Sequence, residues 1–510
     1  MKRPTCLAAP LFAALTFIAC YLRGFVFPRT PILLWGDQLG FATKGARILH
    51  GDLPYRDFFE FLTPGTDLVY AALFYLTSHS PWIPNLVMAS LAAITTWMLT
   101  WCAARLLTGA FVALPTILFI GFILYGSLDA THHWFSTVAI MAAVCALFNG
   151  ATTSRVLIAG ACIGLAASFT QTKGAAVAIG LILYFIWLAQ HEKSGAAQCW
   201  QRCLLMGCSA VVIFSLINGP FILAAGAHRW FEQVIVFPAR YFGSVPINNW
   251  HGAWPEFQAR SGVLKWVCFP FIYCAQPIIY IGIFIAMRRR ADIESDKPRL
   301  ALIAITGVAM LAVMLPALSI RRLSCVTPPA MILLAWLLSK GGSPKQHIAS
   351  RTHKAIAIGL AAASLAVVLA QVGAMQLRPG QYVDLPTGRT AIPDAAIAEV
   401  YRWTADHTHP GQWYFGLSPL ILPLALHDAA PVEGLGPGDY TRPEQVSAVI
   451  TALELRRPPL MILLSKESFL HREATGANHL QPFYSYLYQH YRRVKVFSNS
   501  YEAWERVGGK

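Results

Sequence analysis

The sequence predicts a polytopic α-helical membrane protein of about eleven to thirteen spans, followed by a water-soluble α/β domain. Three observations predict it. Hydrophobic residues fill 56% of the 510 positions and charged residues only 13%, about half the charged share of a soluble domain. Many separate apolar runs, among them 204–223, 263–287 and 355–372, approach or exceed the ~18 residues that read as a spanning helix. From about residue 376 the composition turns to mixed polar and apolar with Asp, Glu, Pro and Gly, over a stretch long enough for a compact domain.

The spans come first. The net charge of +15 would suit a polyanion, but the basic residues sit in short loops between apolar runs and form no stripe with interleaved aromatics. Membrane lipid is therefore the expected partner, and nucleic acid is not. Met-Lys-Arg at the start precedes an apolar stretch, 6–28, that is too long for a signal-peptide core and lacks a small-residue cleavage site. It reads as a retained first helix that begins in the cytoplasm. The clearest basic loops, Arg288-Arg289-Arg290 with Lys297 and Arg299, and Lys340 to Lys354, belong in the cytoplasm by the positive-inside rule. Helices at 301–319 and 324–339 then form a hairpin whose outer turn, 320–323, carries Arg321 and Arg322 against that rule.

Counting back places 225–260, 171–173, 129–133 and the first long loop, 29–64, outside. The apolar piece 68–77 is too short to span and reads as a re-entrant or interfacial helix. The expected location is the inner (cell) membrane, with the N-terminus cytoplasmic and the C-terminal domain periplasmic or otherwise extracytoplasmic. The eleven cysteines all fall between Cys6 and Cys325, so the C-terminal domain has no disulfide framework. Cys199, Cys203 and Cys208 lack a partner set at zinc spacing and read as buried small hydrophobes.

The domain division expected is 1–375 for the membrane part and 376–510 for the soluble part. Within the latter, 391–406 and 443–455 carry helical spacing, the second opened by Thr441 or by Arg442-Pro443. Short apolar runs at 412–416 and 460–464 suit buried strands, and 493–497 with 501–507, separated by Ser-Asn-Ser, suit a hairpin.

Chemistry concentrates in the first outer loop, WGDQLGFATKGARILHGDLPYRDFFEFLTPG. Asp37 follows Gly36 and precedes a short amphipathic helix, 38–50, that ends at Gly51, so Asp37 stands where an N-cap belongs. Capping alone would account for it. A tight Pro54-Tyr55 turn then presents Arg56, Asp57 and Glu60 among Phe58, Phe59 and Phe61, which also suits an aromatic belt with solvated charges.

An aspartate just after the first helix, a short helix, a Gly-x-x-Pro-Tyr-x-Asp turn and a Pro-Gly before the next apolar segment together resemble the first outer loop of GT-C membrane glycosyltransferases. The branch they resemble is the protein-O-mannosyltransferase and aminoarabinose-transferase superfamily, and the plan of many helices with an outer C-terminal domain is similar too. The resemblance implies a GT-C-like fold for 1–375 and transfer of a sugar from a polyprenyl-phosphate carrier to an acceptor on the outer face. A lipid phosphate is already a stable leaving group. Such an enzyme needs a carboxylate to deprotonate the acceptor and cations to meet the growing phosphate charge. By resemblance Asp37 matches the loop aspartate that acts as base, with Asp57 a further candidate, and Asp129 matches an acidic residue of the second outer loop. Glu60 is a candidate for acceptor or secondary contacts.

Asp129 stands with His132, His133 and Trp134 in an outer turn. The two histidines could add phosphate contacts, bind a divalent metal together with Asp129, or simply hydrogen-bond at the interface. No motif demands a cofactor, and a divalent metal stays open. Candidate phosphate ligands are Lys173, which sits between two apolar runs with almost no loop, the Arg321/Arg322 pair, and Arg240 in the outer stretch 236–241. For Lys173 the alternative is snorkelling to the interface.

The function expected is an inverting, polyprenyl-phosphate-sugar-dependent hexosyl- or pentosyltransferase whose acceptor is a protein, a lipid or a glycan. Rivals are a transporter or flippase of lipid-linked saccharides, a polymerase or ligase of such glycans, and a non-catalytic assembly protein. The candidate carboxylates cluster at one face instead of lying mid-helix, which favours catalysis over passage.

Overall fold

The structure, a computed structural model, describes residues 7–508 except 78, 79, 81, 127, 128, 246, 247, 250–253, 255, 256, 259–270, 341–346, 433, 437–439, 466–478 and 499. The N-terminal Met-Lys-Arg, Arg260, the first part of the apolar run 263–287 and residues 341–346 lie outside the described residues, and 347–354, expected as loop, belong to the helix His347–Leu377.

Among the described residues five helices are long and apolar enough to cross a membrane: Ile83–Leu106, Gln171–Glu192, Ala196–Ala225, Lys297–Ala317 and Arg351–Leu377. Shorter apolar helices are Ala8–Gly24, Gly109–Ile123, His132–Leu147, Thr153–Phe169 and Pro328–Ser339. Apolar runs take this form because only a helix satisfies every backbone polar group within one segment when lipid replaces water. The chain is a polytopic membrane protein with a small sheet domain at its C-terminal end.

The chain packs as two compact units. The first comprises Met1–Arg23, Val87–Gly219 and Trp250–Ala374. Here His132–Leu147 packs on Thr153–Phe169, and Gln171–Glu192 packs on Lys297–Met314. Thr153–Phe169 meets Ala196–Ala225 at Gly160 and Gly164, where an added Cβ would run into the Met206 and Ala210 carbonyl oxygens. Two small residues four apart let the helices touch backbone to backbone, as membrane helices do when no water drives them together. Cys199 and Cys203 are half-buried and Cys208 is exposed. The expectation that all three are buried fails because most of Ala196–Ala225 faces outward. The expected turn 320–323 is a short helix, Ile320–Ser324, capped by Ser319, whose hydroxyl accepts from the Arg322 amide.

The second unit comprises Gly24–Leu86, Pro220–Asn249 and Met375–Lys510. Its first segment forms a two-residue ladder, Phe25–Val26 with Thr30–Pro31, then the helix Asp37–Leu49 packed against the helix Gly65–Thr77. Gly45 permits that contact, since a Cβ there would lie 2.6 Å from Tyr70 Cβ. The stretch after residue 225, expected as loop, opens with the helical turns Ala227–Phe231, Glu232–Val236 and Phe237–Arg240.

The C-terminal segment carries a five-stranded sheet in the order His427–Asp428, Trp413–Gly416, Leu460–Leu464, Tyr501–Arg506, Tyr491–Val496. The first three run parallel and the last two join antiparallel. Phe415, Met461 and Trp504 from the sheet pack with Val446, Val449, Leu453 and Phe483 from the helices Pro443–Arg456 and Gln481–His490. Residues 391–406 do not form one helix. Gly388–Ile392 pairs with Gln381–Leu385 as a hairpin, and Asp394 then caps Ala395–Asp406 by accepting from the Ala396 and Ile397 amides. Pro443 opens the other helix at its first position, after Arg442.

Candidate active site

In the second unit the loop helix is built around charges. Asp37 is its first residue and not its cap; Gly36 takes the N-cap place with φ 134°, a conformation L side chains rarely adopt. The Asp37 carboxylate is exposed and, among the described residues, makes no capping bond, hydrogen bond or ion pair. Two turns further on, the helix is fixed from both sides. Lys44 Nζ meets Glu60 Oε2 at 2.7 Å, with the Glu60 side chain fully buried, and Glu60 Oε1 accepts from the Leu62 amide at 2.9 Å. Arg47 binds Asp52 through Nε at 2.9 Å and Asp428 and the Ala430 carbonyl through Nη1 at 3.0 Å each. Its guanidinium also lies 4.7 Å from the Phe58 ring centre.

The turn that follows is stiff. Tyr55 has φ 68°, and its hydroxyl donates to the Leu62 carbonyl at 2.6 Å. Gln233 bridges the turn, accepting from the Glu60 amide at 2.9 Å and donating to the Tyr55 carbonyl at 3.1 Å. Asp57 accepts from the Leu53 amide at 2.8 Å and from two nitrogens of Arg56. Those Arg56 bonds, foremost, hold its carboxyl below the usual carboxylate range. The cavity between Lys44, Arg47, Phe58, Phe59 and Asp428 is about 10 Å³, room for roughly one water, and the ion pairs around it hold the helix. Arg240 is exposed at the end of Phe237–Arg240.

In the first unit His132 and His133 open the helix His132–Leu147 with their rings 3.9 Å apart. Asp129 Oδ1 accepts from the Thr131 hydroxyl at 2.8 Å. Lys173, in the first turn of Gln171–Glu192, is 0% exposed and does not snorkel. Its Nζ donates to the His133 carbonyl at 3.0 Å and lies 3.4 Å from both Thr137 Oγ1 and Cys325 Sγ. His133 is within electrostatic reach of Lys173 and Arg322, and Lys173 within reach of Asp129. Arg322 donates to the Ala317 carbonyl at 3.1 Å, while Arg321 is exposed. The structure thus gathers Asp129, His132, His133, Lys173 and Arg322 at neighbouring helix ends. Among the described residues no three His, Cys, Asp or Glu side chains converge as metal ligands.

Sequence reasoning missed Lys44, Arg47 and Asp428. The first two were visible as cations three apart on an amphipathic helix, but nothing local points to a partner 381 residues away.

No family model and no curated protein matches the sequence. Solved structures do. The crystal structure of ArnT from Cupriavidus metallidurans bound to undecaprenyl phosphate is similar over 98% of this chain and 98% of that one, with a TM-score of 0.59 at 14% identity. The apo state of the same protein is similar over 97% of each chain, with a TM-score of 0.57 at 15% identity. At such distant identity what is shared is the fold, a GT-C-like bundle of membrane helices with a C-terminal sheet domain.

Proposed function

We propose that the protein is a glycosyltransferase of GT-C type that takes a sugar from a polyprenyl-phosphate carrier. The observation that carries the reading is the likeness to ArnT over 98% of both chains, in a structure bound to undecaprenyl phosphate. The exposed Asp37 carboxylate at the head of an anchored helix supports it.

In the proposed reaction the acceptor's nucleophilic atom attacks the anomeric carbon and loses its proton to Asp37. The bond from that carbon to the phosphate oxygen breaks, the phosphate leaves with the electron pair, and the configuration inverts. Arg321 and Arg322 are the cations proposed for the phosphate, supported by Lys173 from inside its helix end and by Arg240. Asp57, engaged by Arg56, is a weaker base than an ordinary carboxylate. Asp129, His132 and His133 are proposed as secondary groups, and Glu60, committed to Lys44, as a positioning residue. The catalytic part is proposed as residues 1–375 with the loop 29–64, acting on the outer face of the inner membrane, and 376–510 as an extracytoplasmic domain.

The test is transfer by purified full-length protein from radiolabelled polyprenyl-phosphate sugars to a lipid and protein extract, with and without chelator. Label should move from the carrier to one acceptor class. Label that stays on every carrier offered overturns the reading.

A further inference from the structure

The helix Gln171–Glu192 has Lys173 in its first turn and His191 in its last. At about 1.5 Å per residue the two lie about 27 Å apart, at opposite membrane edges. The His191 edge holds a feature for which the transferase reading has no use. A cavity of about 490 Å³ opens there between the C-terminal ends of Gln171–Glu192 and Gln276–Arg289 and the N-terminal end of Lys297–Met314. All three helices belong to the first unit.

The lining has two characters. Trp187, Phe284 and Met287 make an apolar floor, while His191, Arg288 and Lys297 stand where the helices leave the apolar layer. Trp187 and His191 stack in parallel, 5.0 Å apart and 9° between planes, the amphipathic pairing favoured at a membrane interface. The facing acidic group is Glu294, 60% exposed, which meets Lys297 at 2.6 Å and His191 at 3.6 Å. Arg290 is taken by Asp292 at 2.6 Å. Arg288 and the adjoining Arg289 are exposed and, among the described residues, make no ion pair. The rim therefore keeps a positive surplus after Glu294 is counted.

A soluble anion would have no use for the apolar floor, and a neutral lipid would leave the cations unmatched. We propose that this cavity binds an anionic glycerophospholipid, with its phosphate against Arg288 and Lys297 and its glycerol and first methylenes on Trp187, Phe284 and Met287. The volume falls within the roughly 300–1,000 Å³ of small-ligand sites, and basic pockets between membrane-helix ends are the arrangement that takes anionic headgroups. The proposal is independent of which reaction the opposite edge performs.

Native mass spectrometry of the full-length protein, titrated with phosphatidylglycerol and with phosphatidylcholine of the same acyl chains, tests it. The wild type should retain phosphatidylglycerol in preference. Each cation at a headgroup is worth about fivefold in binding, so Arg288→Gln/Lys297→Gln should retain about twenty-fivefold less phosphatidylglycerol, with phosphatidylcholine unchanged. Equal retention of the two lipids by the wild type, or undiminished phosphatidylglycerol in the double variant, overturns the site. A second measurement needs no charge variant. Acyl-brominated phosphatidylglycerol should quench more tryptophan fluorescence in the wild type than in Trp187→Phe, and brominated phosphatidylcholine should not reproduce the difference. No such difference would equally overturn the proposal.

Discussion

Position 37 puts an acidic side chain in the first turn of a helix, where negative charge is favourable, yet among the described residues no backbone amide is bound to it. The sequence located Asp37 at the helix start but one place too early. Gly36 can take φ 134° and so becomes the cap itself, a backbone choice that residue spacing does not display. Asp37→Asn should therefore lose at most about 1 kcal/mol of stability. Its turnover should fall by about 10²–10⁴-fold if Asp37 takes the acceptor proton, with donor binding retained. Single-turnover transfer checks this, and a near wild-type rate would move the base role elsewhere. Asp57 shows the opposite environment, for its carboxyl is held low by Arg56. A depressed value contributes stability above the unfolded value of about 3.9, and that stability is lost as pH falls through the folded value. The stability gap between the wild type and Asp57→Asn should accordingly shrink below about pH 4, a small effect because both partners are partly exposed. Thermal unfolding across pH reads it, and a gap that widens in acid would contradict the assignment.

The loop helix is an element whose existence was legible and whose anchoring was not. Its amphipathic spacing and the Gly51 stop are local, so 38–50 could be read from residues alone. The Lys44–Glu60 pair, at 2.7 Å with side-chain exposures of 11% and 0%, depends on how the following turn folds back. Removing one member of a buried pair leaves a charge unmatched, at a cost of about 3–5 kcal/mol. Glu60→Gln should thus lower the thermal stability of the detergent-solubilised protein markedly, whereas Lys44→Met/Glu60→Leu should restore much of it. Equal losses in both variants would mean that the pair acts only through packing. The same contrast holds in the C-terminal segment. The runs 460–464 and 501–507 stood out as strands, but the hairpin at 381–392 was not read, and its last two residues, Ala391 and Ile392, were counted into the following helix because they fit either period.

For the molecule as a whole, the membrane class was plain from apolar runs because hydrocarbon demands them whatever their neighbours. Orientation is a separate matter, carried by Arg288-Arg289-Arg290 and the basic loop before the helix His347–Leu377. If those loops face the cytoplasm, a reporter enzyme active only in the periplasm should work when fused after Lys510, and a cytoplasm-only reporter should not. The reverse pattern would invert the proposed face of reaction. One contact gives the Asp37 loop a property that its motif does not contain. The Asn85 amide, fully buried near the start of Ile83–Leu106, donates to the carbonyls of both Gly24 and Ile32, so one side chain clasps the departure of the loop from the first helix to its return past the short ladder. Natural variation at residue 85 would then leave every motif residue intact while letting the loop swing, and such a chain would keep the motif in its sequence while lacking the loop geometry seen here.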